Sequence, residues 1–158
     1  MKNNQLERRL RAHHADAFRW ASQCCLGNYH DAEEVLQMTY LKIADGKARY
    51  HEKASFKTWL FAVIRHTAID YLRKQVKHVE LSSAAMLTSP PPPEENHNYR
   101  ALLAQLPERQ RQVLLLAFYH NLSLTEIAAV TDLHVGTVRT HYSRGKQALR
   151  KLLAKERV

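Results

Sequence analysis

The sequence predicts an all-α fold: two small helical domains joined by a flexible, acidic, proline-rich linker. Three observations predict it. Gly and Pro number only 4 and 5 in 158 residues, and Pro90 to Pro93 are consecutive, so the chain lacks the turn formers of a many-stranded sandwich or barrel. Apolar residues recur at three-to-four spacing on both sides of that run, the period of an amphipathic helix. Charge comes in blocks. Residues 1–79 carry 14 basic and 8 acidic side chains, residues 99–158 carry 10 and 4, and residues 80–98 hold Glu80, Glu94 and Glu95 with no Lys or Arg. The expected division is a helical domain over 1–75, a linker over 76–97 and a second helical domain over 98–158. A proline run cannot continue a helix and adopts extended polyproline geometry. Fully stretched, the linker reaches about 70 Å, so the two basic modules can engage well-separated sites on one duplex.

In the first domain, Leu6, Leu10, His13/His14, Ala17 and Ala21 repeat at helical spacing. Asp31-Ala32-Glu33-Glu34 is expected as a capping box, in which Asp31 accepts a free N–H and Glu34 reaches back. Val35, Met38, Leu41 and Ile43 follow, on a helix ending near Gly46. Ser55 is expected to cap a long helix with an apolar stripe of Phe56, Trp59/Leu60, Val63/Ile64, Thr67/Ala68 and Tyr71/Leu72. Phe56 and Trp59 are read as core. The opposite face carries Lys57, Arg65, His66, Asp70, Arg73 and Lys74.

In the second domain, Pro107 suits a first helical turn, and the helix runs through Val113 to Phe118. Asn121 is placed to stop it in the left-handed conformation. Ser123-Leu124-Thr125-Glu126 is a further capping box, opening a short helix of Ile127, Ala128, Ala129 and Val130. Thr131 to His134 make a turn, and Val135 opens the last helix. Its seam is Val138, Tyr142, Gly145, Leu149 and Leu152, flanked by Arg139, Arg144, Lys146, Arg150 and Lys151.

A short capped helix, a tight turn and a basic helix form the pattern of a helix-turn-helix. Such a unit offers the first turns of its second helix to base edges in the major groove, here Val135, Gly136, Thr137, Arg139, Thr140 and His141. Arg139 suits a guanine edge, while Arg144 and Lys146 suit phosphates. A formal charge of +9 agrees with a polyanionic partner. In the long helix of the first domain, aromatics among cations can stack exposed bases while the cations hold the backbone.

Other classes find little support. No strictly apolar run is longer than Val113 to Phe118, which falls far short of the ~20 residues of a membrane span, so no membrane insertion is expected. The N-terminus has no apolar core of a secretory signal. Cys24 and Cys25 are adjacent and match no metal or disulfide spacing, which reads as a reduced, cytoplasmic protein. No nucleotide-loop, nucleophile-elbow or zinc-protease motif appears among the ten histidines or elsewhere. Neither an enzyme nor a metal or other cofactor is expected.

The residues resemble a family. Asp31 to Tyr40, Phe56 to His66 and Ala68 to Arg73 look like region two of the bacterial RNA polymerase sigma factors. Leu106 to Arg111 and Leu122 to Arg150, with Val135-Gly136-Thr137-Val138-Arg139-Thr140, look like region four. With these two regions and a short linker, the chain is similar to the extracytoplasmic-function (ECF) group. The resemblance implies binding to core RNA polymerase and to promoter DNA, both single- and double-stranded, and an anti-sigma factor that restrains it. It casts Asp31, Glu34, Gln37, Met38 and Leu41 as residues that dock on the polymerase clamp. It gives Lys53, Ser55, Lys57, Arg65, His66, Asp70, Arg73 and Lys74 to the minus-ten element, where a base is extruded. It gives Val135, Gly136, Thr137, Arg139, Thr140, His141, Arg144 and Lys146 to the minus-thirty-five duplex. The resemblance further implies that binding free energy opens the strands and that the acidic linker threads the RNA path.

Three departures from the family pattern stand out. His66 occupies a usual Asn position, and Asp132 replaces a turn Gly. Gly145 and His141 replace a usual Ala and Arg, which implies weaker promoter contact by the last helix. The rival reading is a stand-alone helix-turn-helix regulator that binds duplex without polymerase; it leaves residues 1–75 unexplained.

Overall fold

The computed structural model describes residues 3–82 and 97–156, with side chains over 3–78 and 100–155, and these residues contain helices, turns and loops but no strand. The chain divides into two compact units, Met1–Pro92 and Pro93–Val158. The proline run and Glu94/Glu95 of the expected linker lie outside the described residues.

The first unit contains α1 (Asn3–Ala12), α2 (His14–Cys24), α3 (Tyr29–Ala44) and α4 (Phe56–Ser82). Helices α2, α3 and α4 pack against one another. Their buried residues include Ala17, Trp20 and Ala21 of α2, Ala32, Val35, Leu36 and Ile43 of α3, and Phe56, Leu60, Phe61, Ile64 and Ala68 of α4. Trp20 stacks on Phe61 at 5.8 Å, and its indole N–H donates to the Phe61 carbonyl at 3.1 Å. The polar tip of a buried Trp is thereby satisfied. The early apolar repeat is split between two helices, because the chain turns at His13, with φ −101° and ψ 4°. Ala17 and Ala21 are buried, whereas α1 buries none of its residues.

Two local expectations change. The start of α3 is not a capping box at Asp31: Asn28 is the cap, and its side chain accepts the Asp31 N–H at 3.0 Å. Asn accepts as well as Asp at that position, and beginning the helix earlier frees the Asp31 carboxylate to accept the Tyr71 hydroxyl at 3.0 Å. That bond joins α3 to α4. Helix α4 also runs on to Ser82, into the segment read as linker from residue 76. Residues 76–82 contain neither Gly nor Pro, so nothing local stops the helix there.

The second unit contains α5 (His97–Ala104), α6 (Glu108–Leu114), a π-helical turn (Leu115–Tyr119), α7 (Leu124–Thr131) and α8 (Val135–Glu156). Leu102, Leu103, Leu106, Leu114 and Leu149 form one buried cluster, and Ile127, Val130 and Val138 are fully buried. The apolar run Val113–Phe118 does not remain α-helical. At its end the His120 N–H reaches the Leu115 carbonyl five residues back, at 3.1 Å, and Asn121 adopts the expected left-handed φ of 58°. Ser123 and Glu126 form the expected reciprocal capping box, with bonds of 3.1 and 3.0 Å.

Candidate nucleic-acid interface

The helix-turn-helix is formed by α7 and α8. Asp132 holds the turn at φ 57°, ψ 33°, a region that Asp tolerates better than most residues. Leu133 N–H donates to the Ala128 carbonyl at 3.2 Å. Ile127 and Val138, fully buried, fix the crossing. At the start of α8, Gly136, Thr137, Arg139 and Thr140 are exposed and Val135 is half-buried; Arg144 is exposed further along, and Lys146 lies with its ammonium 4.3 Å from the Tyr142 ring centroid. His141 departs from this group. It is half-buried, and its Nδ1 is buried without a hydrogen-bond partner among the described residues. Gly145 is buried as well. A Cβ there would lie 3.1 Å from the Leu114 side chain and 3.5 Å from that of Gln110. The lack of a side chain at Gly145 thus serves the approach of α8 to α6, away from the exposed face.

In the first unit the structure divides the residues expected on one basic face of α4. His66, Asp70, Arg73 and Lys74 are exposed and span about 12 Å of one stripe at 1.5 Å per residue. Arg65 is turned inward and is 9% exposed, so the sequence reading of it as surface is corrected. Lys57 lies nine residues before His66, which is about two and a half turns and so the opposite side of the helix. Its ammonium sits 5.6 Å from the Phe61 ring centroid. Trp59, read as core, is only half-buried and, seven residues before His66, lies on nearly the same side as that residue.

Lys53 and Ser55 are exposed in the loop between α3 and α4. Ser55 caps α4, accepting the Thr58 N–H at 3.2 Å. Sequence reasoning overlooked the loop's internal order. Tyr50 folds back so that its hydroxyl donates to the Ala54 carbonyl at 2.6 Å, and its ring lies 5.4 Å from both Phe56 and Trp59. The available signal was a lone aromatic in a polar loop directly before a helix cap.

On α3, Gln37 and Leu41 are exposed, Leu41 by 61%, while Asp31, Glu34 and Met38 are half-buried. Gln37 borders a groove of about 530 Å³ together with Phe18, Tyr29, Leu36 and Tyr40. Burial pushes the Tyr40 hydroxyl up to about 12. Both cysteines are buried. Burial, with the charge of Asp31 second, pushes the Cys25 thiol up to about 12.

The comparisons with known proteins agree with this division. Sigma-70 region 2 matches residues 10–78, and Sigma-70, region 4, matches residues 96–149. A chain built from these two regions is a sigma factor, a non-enzymatic protein that directs promoter recognition by RNA polymerase. Its relatives narrow the class. The chain is 27% identical over 146 residues to the ECF RNA polymerase sigma factor SigW of Bacillus subtilis, covering 81% of this chain and 78% of that one. It is 29% identical over 152 residues to SigC of Mycobacterium tuberculosis, covering 91% and 80%. It belongs to the ECF RNA polymerase sigma factor family. Among solved structures, its fold matches that of the sigma factor RpoE, determined in complex with the anti-sigma factor NepR from Bartonella quintana, with TM-score 0.81, 21% identity and coverage of 95% and 97%. It also matches CnrH, determined in complex with the cytosolic domain of CnrY, with TM-score 0.68, 23% identity and coverage of 97% and 90%.

Proposed function

We propose that this sigma factor divides promoter recognition between its units: the second grips duplex at the minus-thirty-five element, and the first captures and opens the minus-ten element while docked on the polymerase clamp. The observation that carries the reading is the open face of the helix-turn-helix. The first turns of α8 expose Gly136, Thr137, Arg139 and Thr140, at the end that enters a major groove in such motifs. Arg139 reads base edges there, and Arg144 with Lys146 holds phosphates.

In the first unit, Lys53 and Ser55 of the loop and His66, Asp70, Arg73 and Lys74 of α4 form the minus-ten surface. Extruding a base costs a few kcal/mol, offset by the loop and by cation contacts to the backbone. Lys57 contributes from the loop end of α4, and Arg65 supports the helix from within. His141 acts as packing rather than as a phosphate contact. The polymerase clamp takes the α3 face, where exposed Gln37 and Leu41 lie with half-buried Met38, Glu34 and Asp31. The site of action is the cytoplasm, where the polymerase is. Among the described residues, no helix is long and apolar enough to cross a membrane. As RpoE was determined with the anti-sigma factor NepR, an anti-sigma factor restrains this chain too.

Run-off transcription with core polymerase and a randomised promoter library tests the reading. The expected outcome is specific initiation that depends on this chain, lost in Arg139→Ala and reduced in Arg73→Ala. Specific operator binding by the chain without core polymerase, and no initiation with it, would favour the stand-alone regulator.

A further inference from the structure

The loop from Asp45 to Ser55 carries Lys47, Arg49, His51 and Lys53, all exposed. A loop this rich in repelling cations is expected to sample many conformations. This one is tied from within. Lys47 and Ala48 N–H groups donate to the Lys42 carbonyl at 2.9 and 3.1 Å, Gly46 turns the chain at φ +75°, and Arg49 Nε donates to the Gly46 carbonyl at 3.2 Å. Tyr50 then closes on Phe56 and Trp59, which lie 5.4 Å apart.

A second set of contacts comes from outside the loop. The Arg9 guanidinium of α1 lies 5.6 Å from the Phe56 ring centroid and 5.9 Å from that of Tyr50. His13, one turn further on, stacks on Phe56 at 5.5 Å with 24° between the planes. A cation over an aromatic face within ~6 Å is attracted by the ring quadrupole. These contacts come from the rim of the first unit's core, since α1 has no buried residue and Arg9 and His13 are half-buried, although Phe56 is itself buried. What they touch is the aromatic knot at the root of the basic loop.

We propose that Arg9 and His13 are positioning residues for promoter opening: they clamp the Tyr50–Phe56–Trp59 knot so that the Lys47–Ser55 loop is held in one conformation before DNA arrives. The inference rests on the minus-ten reading above. A loop ordered in advance avoids the cost of ordering it on the DNA, and that saving appears as affinity for the extruded strand. Helix α1 thus acts on the DNA step through Tyr50 and Phe56 without touching DNA.

The test uses holoenzyme assembled from core polymerase and the full chain, on the promoter selected in the run-off experiment. Arg9→Ala, His13→Ala, the conservative Arg9→Lys and the loop variant Lys53→Ala are compared by permanganate footprinting of the minus-ten bases, by affinity for core polymerase and by the minus-thirty-five footprint. Arg9→Ala is expected to reduce strand opening about threefold to tenfold, the scale of one cation–aromatic contact. Arg9→Lys should recover most of the loss, and core affinity and the minus-thirty-five footprint should not change. Acrylamide quenching of the full chain without polymerase supplies an independent readout: Trp20 is fully buried, so added quenching in Arg9→Ala reports Trp59 at the knot. If Lys53→Ala impairs opening while Arg9→Ala and His13→Ala change neither opening nor quenching, the positioning role is overturned and the minus-ten reading stands. Should neither the loop variant nor the clamp variants affect opening, the minus-ten reading fails and this inference with it. A loss of core affinity equal to the loss of opening would also overturn it, because the clamp would then act on docking.

Discussion

Gly145 lies where α8 crosses α6, and the Leu114 side chain leaves no space for a larger residue. Leu114 is itself locked in the buried leucine cluster. Gly145→Leu should therefore destabilise the second unit by about 1–3 kcal/mol through overpacking. Gly136 has open space around it, so Gly136→Ala should stabilise the same unit by about 0.4–1 kcal/mol. Thermal melts of the two variants check both signs. Cys25 allows a chemical prediction. The thiolate is the reactive form, and a thiol moved from 9.0 to about 12 holds far less of it at pH 8. Neither buried cysteine should react with a disulfide reagent until the unit unfolds; rapid native labelling would contradict this. Folding also raises Tyr40 and Tyr71 to about 12 from 10.0. Tyr71 is raised by desolvation first and by its bond to Asp31 second. The folded state thus keeps these protons at pH values where the unfolded chain releases them. The stabilisation is complete below the unfolded value of 9.0 for Cys25 or 10.0 for the tyrosines and is lost as pH rises toward 12. Melting temperatures of the first unit at pH 7, 9 and 10.5 should fall over the last interval.

Helix ends show how element-level physics sets the site. Asn28 satisfies the Asp31 N–H at the start of α3, so Asn28→Ala should cost about 1 kcal/mol, the usual worth of a cap. Asp31→Ala should act differently, removing the acceptor of the Tyr71 hydroxyl and so loosening α4 from α3; urea denaturation of both variants and their double mutant would separate the two effects. A capping-box sequence was legible at Ser123 because the box lies beside a left-handed Asn121 that leaves one place for the helix to begin. The same kind of sequence misled at Asp31, because Asn28 offers an equivalent cap three residues earlier. The π turn at Leu115–Tyr119 had no sequence signal. Its extra residue lies between Val113 and Leu116, both fully buried, and Phe118, whose exposed ring stacks on Tyr142 at 5.7 Å; such insertions arise where packing on both sides outweighs a regular ladder.

At the scale of the whole molecule, each unit has its own buried cluster. Residues 1–82 and 97–158 expressed apart should each melt cooperatively; a fragment without a cooperative transition would show that its core is incomplete alone. On the proposed division of promoter recognition between the units, neither fragment should support initiation. By itself the sequence determined the helical class, the order of the elements, the helix-turn-helix and the family, because periodicity, caps and turn residues act over a few positions along the chain. Tertiary structure alone decided which cation faces inward and which faces outward. Arg65 and His66 are neighbours in sequence, yet one is buried and the other exposed. It also decided that His141 turns toward the interior, that Trp59 leaves the core for the loop, and that Arg9 of α1 and His13 at the turn after it grip aromatics more than forty residues away. A helix repeats every 3.6 residues regardless of its surroundings, but the side on which its stripe ends depends on partners that only the folded chain brings together.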